Sequence, residues 1–134
     1  MENVGDLVPA LEAAAEEHVH DLVGRTTLPQ LVALARRARL LVTCDTGPMH
    51  IAHAVGTPNL AIFGPSDPVR YGPEGEGEKR FVLRQPLYCS PCNMIRKPPP
   101  ECLALDAPEC LQSIGVDRAL NAALGLLDKR KSLI

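Results

Sequence analysis

"LLVTCDTGPMHIAHAVGTPNLAIF", residues 40–63, is the stretch that decides the fold. Residues 40–44 run without polar alternation, the pattern of a strand covered on both faces of a parallel sheet. Asp45-Thr46-Gly47-Pro48 ends that run, and residues 46–56 then read as a helix. Pro48 fits the first helical turn and Gly56 the C-terminal stop. Residues 59–63 form a second covered strand. A strand, a helix and a second strand joined by short loops predict parallel pairing with the helix laid on one face.

Working outward, the same alternation continues. Upstream, residues 8–17 have the spacing of an amphipathic helix, and residues 18–24 read as a short strand ending at Gly24. Residues 25–39 form the next helix, with Thr27 as N-cap, Pro29 in the first turn, and Leu31, Leu34, Ala35 and Ala38 as its apolar stripe. Downstream, residues 80–84 predict an edge strand and residues 116–128 a closing amphipathic helix. The whole is an α/β fold, a parallel sheet with helices on both faces, read as a single domain over 1–134. Its Pro- and Gly-rich stretch, 64–110, is long enough to suggest a functional or metal-ordered loop.

Composition limits the function. The chain is 46% hydrophobic and 22% charged with a net charge of −2, which argues against a nucleic-acid or anionic-membrane partner. No apolar run has the length of a membrane span, and residues 1–20 lack a signal-peptide layout, which predicts a cytoplasmic protein. Of the five cysteines, Cys44 falls inside the first covered strand and reads as a small buried thiol. Cys89, Cys92, Cys102 and Cys110 gather in the Pro/Cys-rich loop at 85–112. Four thiolates suffice for a structural zinc, although the later pair lacks the tight spacing of zinc ribbons. Free thiols or a labile disulfide are the plainer readings.

The Asp45–Pro48 break lies where a parallel sheet places its ligands, beyond the carboxyl end of a strand. The helix that follows presents unpaired N–H groups and a partial positive charge, which suit a phosphate or diphosphate. Gly47 leaves its backbone approachable, Thr46 offers a cap and a hydroxyl, and His50 falls in the first turn. His53, one turn on, reads better as a partner of neighbouring loops. Ser66 and Asp67, after the second strand, are suited to fixing their own loop by side-chain bonds to the backbone.

Taken together, "DTGPMHIAHAVGTPNLAIFGPSDPVRYGP" (45–73) resembles the signature of glycosyltransferase family 9, the heptosyltransferases of lipopolysaccharide core synthesis. The upstream residues 21–43 and the downstream cysteines are also similar to that family. The resemblance implies a Rossmann-like donor-binding domain of a two-domain GT-B enzyme. It implies a nucleotide-diphosphate sugar such as ADP-heptose held by Asp45, Thr46, Gly47 and His50, with Thr26 and Leu28 lining the adenine pocket. It implies inverting transfer without a catalytic metal or other cofactor.

The acceptor would be a lipid or lipopolysaccharide, which places such a protein at the inner membrane surface. Set against the family's length, the chain resembles only the last two thirds of a donor domain. The general base belongs to the family's other domain, so the chain alone is expected to bind nucleotide and transfer nothing. An exposed sheet edge would then favour self-association. A non-catalytic nucleotide-binding module and a zinc-clipped structural domain are the competing readings.

Overall fold

A computed structural model describes residues 18–73, 80–92, 102 and 108–129. The helix expected over 8–17 lies outside these residues. By its internal contacts the chain divides into two units, Met1–Leu31 and Val32–Ile134. The second unit carries a three-stranded sheet in the order β1-β2-β3, formed by β1 (Leu41–Cys44), β2 (Asn59–Phe63) and β3 (Arg80–Arg84). Both pairings are parallel, with Cys44 opposite Ile62 and Phe63 opposite Arg84. The helices are α1 (Leu28–Arg37), α2 (Gly47–Ala54), α3 (Pro68–Tyr71), α4 (Glu109–Gln112) and α5 (Val116–Lys129).

Residues 18–24, expected as a strand, are not one. They end in a turn at Val23–Gly24, with Gly24 at φ 67° and Val23 66% exposed. The Asp21 carboxylate accepts the Val23 N–H at 2.8 Å, and this local bond holds the turn that the apolar letters concealed. Helix α1 starts as its sequence requires. Thr27 precedes it, and Gln30 reaches back to accept the Thr27 N–H at 2.8 Å and the Thr27 hydroxyl at 3.0 Å, the returning half of a capping box.

The central strand β2 separates two cores. Ala61 and Phe63 point to one face, where fully buried Met49 of α2 meets them and Val82 of β3 packs alongside. Leu60 points to the other face and packs with Leu83 and with Leu126 of α5. Helices therefore cover both faces of β2, as the sequence predicts. Arg118 fixes the start of α5 to the end of β3 through the Arg84 carbonyl at 3.0 Å and the Gln85 side chain at 2.8 Å.

Strand β1 departs from expectation. The sequence predicts it covered on both faces, yet it forms one edge of the described sheet; Val42 is 53% exposed and Cys44 is an exposed free thiol rather than a buried one. Apolar letters alone do not distinguish a central parallel strand from a parallel edge, because both are rich in Leu and Val.

The end of α2 is closed by a Schellman motif. Gly56 adopts φ 75°, its N–H donates to the His53 carbonyl at 3.1 Å, and the Thr57 N–H donates to the Ala52 carbonyl at 2.9 Å. The Thr57 hydroxyl then ties this turn to α1, donating to the Ala35 carbonyl at 2.7 Å in a buried position. Next to it, Asn59 is 1% exposed, and among the described residues neither its side-chain amide nitrogen nor its oxygen has a hydrogen-bond partner. A buried unpaired amide costs about 1–3 kcal/mol. Asn59→Leu, close in volume, is accordingly expected to stabilise the protein by about 1–2 kcal/mol. Equilibrium urea unfolding checks this, and a lower midpoint for the variant refutes it.

Candidate functional site

Parallel pairing brings the carboxyl ends of β1 and β2 to one edge of the sheet, so the Asp45–Thr46 and Gly64–Asp67 loops leave side by side. Helix α2 begins at Gly47 with Thr46 as N-cap in extended conformation, φ −147° and ψ 171°. The Thr46 side chain makes no cap bond, contrary to the expectation from sequence. The reason is local. An N-cap side chain accepts from the second or third helical N–H. The second residue is Pro48, which has none, and the third, Met49, already donates to the Thr46 carbonyl at 3.0 Å. The Thr46 hydroxyl instead folds back to the Cys44 carbonyl at 3.4 Å and lies 3.2 Å from the Thr43 hydroxyl.

The helix head consequently presents one clear donor, the Gly47 N–H, which no carbonyl of its own helix can reach. Gly47 is exposed, and beyond its chain neighbours and its own helix backbone no heavy atom lies within 4 Å of the place a Cβ would occupy. His50 is exposed in the first turn of α2, and His53 is half-buried one turn later. Asp45 is half-buried, and among the described residues its carboxylate forms no ion pair. The arrangement is a helix dipole and an open amide with a carboxylate and an imidazole beside them. It can receive an anionic group while offering an acceptor to neutral hydroxyls.

The adjoining loop is self-supporting. The Asp67 carboxylate caps α3 by accepting the Val69 N–H at 2.9 Å, as its position in the sequence predicts. Ser66 is buried. Helix α3 also carries Arg70 at this sheet edge, its guanidinium 5.3 Å from the centre of the Tyr71 ring. Sequence reading passed over Arg70. The signal available was its place three residues beyond a capping Asp, which puts a cation on the turn after β2. Thr26 is half-buried and Leu28 is 66% exposed; both belong to the first unit, whereas Asp45–His50 belong to the second.

The cysteines expected to cluster are all free thiols, half-buried at Cys89, Cys92 and Cys102 and buried at Cys110. Burial pushes the Cys110 thiol up; a backbone hydrogen bond opposes this, and the charges of Cys92, Cys102 and Cys89 add to it. Among the described residues no three His, Cys, Asp or Glu side chains stand ready as a metal ligand set. Nor is any described helix long and apolar enough to cross a membrane.

Comparison with known proteins decides the family. Residues 5–101 match the family model described as glycosyltransferase family 9 (heptosyltransferase). The chain belongs to that family. It is 40% identical over 84 residues to lipooligosaccharide heptosyltransferase 2 of Haemophilus influenzae, a match covering 62% of this chain and 24% of the relative. It is 36% identical over 63 residues to lipopolysaccharide heptosyltransferase 2 of Escherichia coli K12, covering 47% of this chain and 18% of that one. The solved structure of E. coli ADP-heptose lps heptosyltransferase II superposes with a TM-score of 0.70 at 26% identity, over 95% of this chain and 33% of that one. The family member described here thus corresponds to a third or less of the length of these relatives.

Proposed function

We propose that this family 9 chain binds the donor of a heptosyl transfer, an ADP-linked sugar, at the head of α2. The observation that carries the reading is the uncapped, uncovered Gly47 amide at the carboxyl edge of a parallel sheet. A diphosphate oxygen accepts from the Gly47 N–H, where the helix dipole favours negative charge. His50, exposed in the same turn, supplies a second donor to the diphosphate. The Asp45 carboxylate accepts from hydroxyls of the sugar.

In transfer, the bond from the anomeric carbon to the diphosphate breaks and negative charge grows on the leaving oxygen. Fixed donors already aimed at that oxygen lower the barrier without reorganising. An acceptor hydroxyl must lose its proton to a base, and no residue of the described site is assigned that role. The names of the relatives point to a lipopolysaccharide or lipooligosaccharide acceptor, which would bring the protein to the cytoplasmic face of a membrane.

Calorimetric titration with ADP-glucose, as an available ADP-sugar, tests the reading. Asp45→Ala is expected to weaken binding by about tenfold or more, the effect of one lost charge-assisted hydrogen bond. Equal affinities for the two proteins would remove Asp45 from the site.

A further inference from the structure

Two threonine hydroxyls meet in the turn between β1 and α2. The register sets Thr43 opposite Ala61, whose side chain packs with Met49, so Thr43 rises on the sheet face that α2 covers. There its hydroxyl lies 3.2 Å from the Thr46 hydroxyl at the N-cap. Both also reach one acceptor. The Thr43 hydroxyl donates to the Cys44 carbonyl at 3.1 Å, and the Thr46 hydroxyl lies 3.4 Å from the same oxygen. Each hydroxyl has one proton to give and lone pairs with which to accept. The shorter Thr43 bond satisfies the carbonyl, and the longer Thr46 bond is the weaker of the two. Thr46 is exposed and Thr43 half-buried, which makes Thr46 the outer member of the pair.

We propose that Thr43 is a positioning residue for the donor: its hydroxyl holds that of Thr46 at the head of α2 and frees the Thr46 proton for an oxygen of the diphosphate. The inference rests on the donor reading above. On binding, Thr46 gives up its 3.4 Å bond and turns its proton outward to the anion, beside the Gly47 N–H. The Cys44 carbonyl keeps its bond from Thr43, so the exchange strands no backbone acceptor. The 3.2 Å contact between the hydroxyls also lets Thr46 accept from Thr43 while it donates to the ligand, a chain in which each bond strengthens the next. Valine at position 43 keeps the shape of threonine and removes the hydroxyl. Thr46 is then the one hydroxyl left for the Cys44 carbonyl, and its proton is drawn inward, away from the ligand. Thr43 itself touches no part of the donor, so its whole effect passes through Thr46.

Calorimetric titration of the full chain with ADP-glucose supplies the test. Thr43→Val is expected to weaken binding by about three- to tenfold, the span of one neutral hydrogen bond. Its thermal midpoint stays level or rises slightly, because valine suits a strand at least as well as threonine. Thr43→Ser keeps the hydroxyl and is expected to bind within about twofold of the wild type. Added to Thr46→Val, Thr43→Val is expected to cost less than about twofold more, because the hydroxyl it acts through is already gone. Undiminished affinity for Thr43→Val, with Asp45→Ala still weakened, overturns the role of Thr43 and leaves the donor reading standing. So does a lowered midpoint for Thr43→Val, a weakening that Thr43→Ser fails to restore, or one that persists in full beside Thr46→Val. A wild-type chain that takes up no ADP-glucose removes the donor site and this role together.

Discussion

Gly47→Ala is expected to lose ADP-sugar binding by about 10- to 100-fold while leaving the thermal midpoint unchanged or slightly raised. The two halves of that outcome have separate causes. Gly47 opens α2 with a φ outside the left-handed region, and beyond its chain neighbours and its own helix backbone nothing fills the space its Cβ would enter. Alanine therefore meets no obstacle in the free protein, and it is the better helix former by up to about 1 kcal/mol. In the proposed site, that space is the path by which a diphosphate oxygen would come within hydrogen-bond distance of the Gly47 N–H. A methyl group placed there lengthens or removes a charge-assisted bond worth about 1.5–3 kcal/mol. Calorimetry and thermal denaturation on the same preparation give both numbers. Undiminished affinity moves the ligand away from the head of α2, and a lowered midpoint makes Gly47 a structural residue instead.

Phe63→Ala is the contrasting case, with an expected loss of about 3–5 kcal/mol in unfolding free energy. Phe63 is fully buried at the last position of the central strand, against Met49 and Ala61. Truncation removes most of one core and leaves a cavity that β2, hydrogen-bonded on both sides, cannot collapse to fill. Since whole domains are stable by only about 5–15 kcal/mol, the variant sits near the folding threshold. Met49 is the third residue of α2, so the same packing fixes the orientation of the helix head that carries the proposed donor site. Urea unfolding measures the effect. Phe63→Leu should recover most of it, and a loss below about 1 kcal/mol for the alanine variant refutes the assignment.

Much of this was legible in the letters, and the gaps have physical causes. Residues 40–63 announce strand, helix and strand because two apolar runs, 40–44 and 59–63, flank a segment punctuated by Pro48 and Gly56, and the structure places all three there. Residues 18–24 misled because His, Val and Leu favour a strand only where a neighbour offers a ladder; Asp21 offered the backbone a turn instead. Cys44 misled because burial depends on what lies beside β1, which a local window does not contain. At the site, the positions of Asp45, Gly47 and His50 followed from the helix start. That the Thr46 hydroxyl would turn away from its cap role did not, although Pro48 held the clue by lacking an N–H. Asn59 is a further case: a polar letter at a strand's first position reads as a boundary, and only the packing shows it sealed inside.

The helix that presents Gly47 hangs from β1, which is four residues long, pairs only with β2 among the described strands, and has Val42 half in solvent. Edge strands of that length open at a lower free energy than the centre of a sheet. A ligand that grips only the closed form must therefore repress fraying at this margin, because binding the native arrangement alone shifts the opening equilibrium by mass action. If the proposed donor site is right, amide exchange at Leu41–Cys44 is expected to slow when an ADP-sugar is added, and unchanged exchange would count against it.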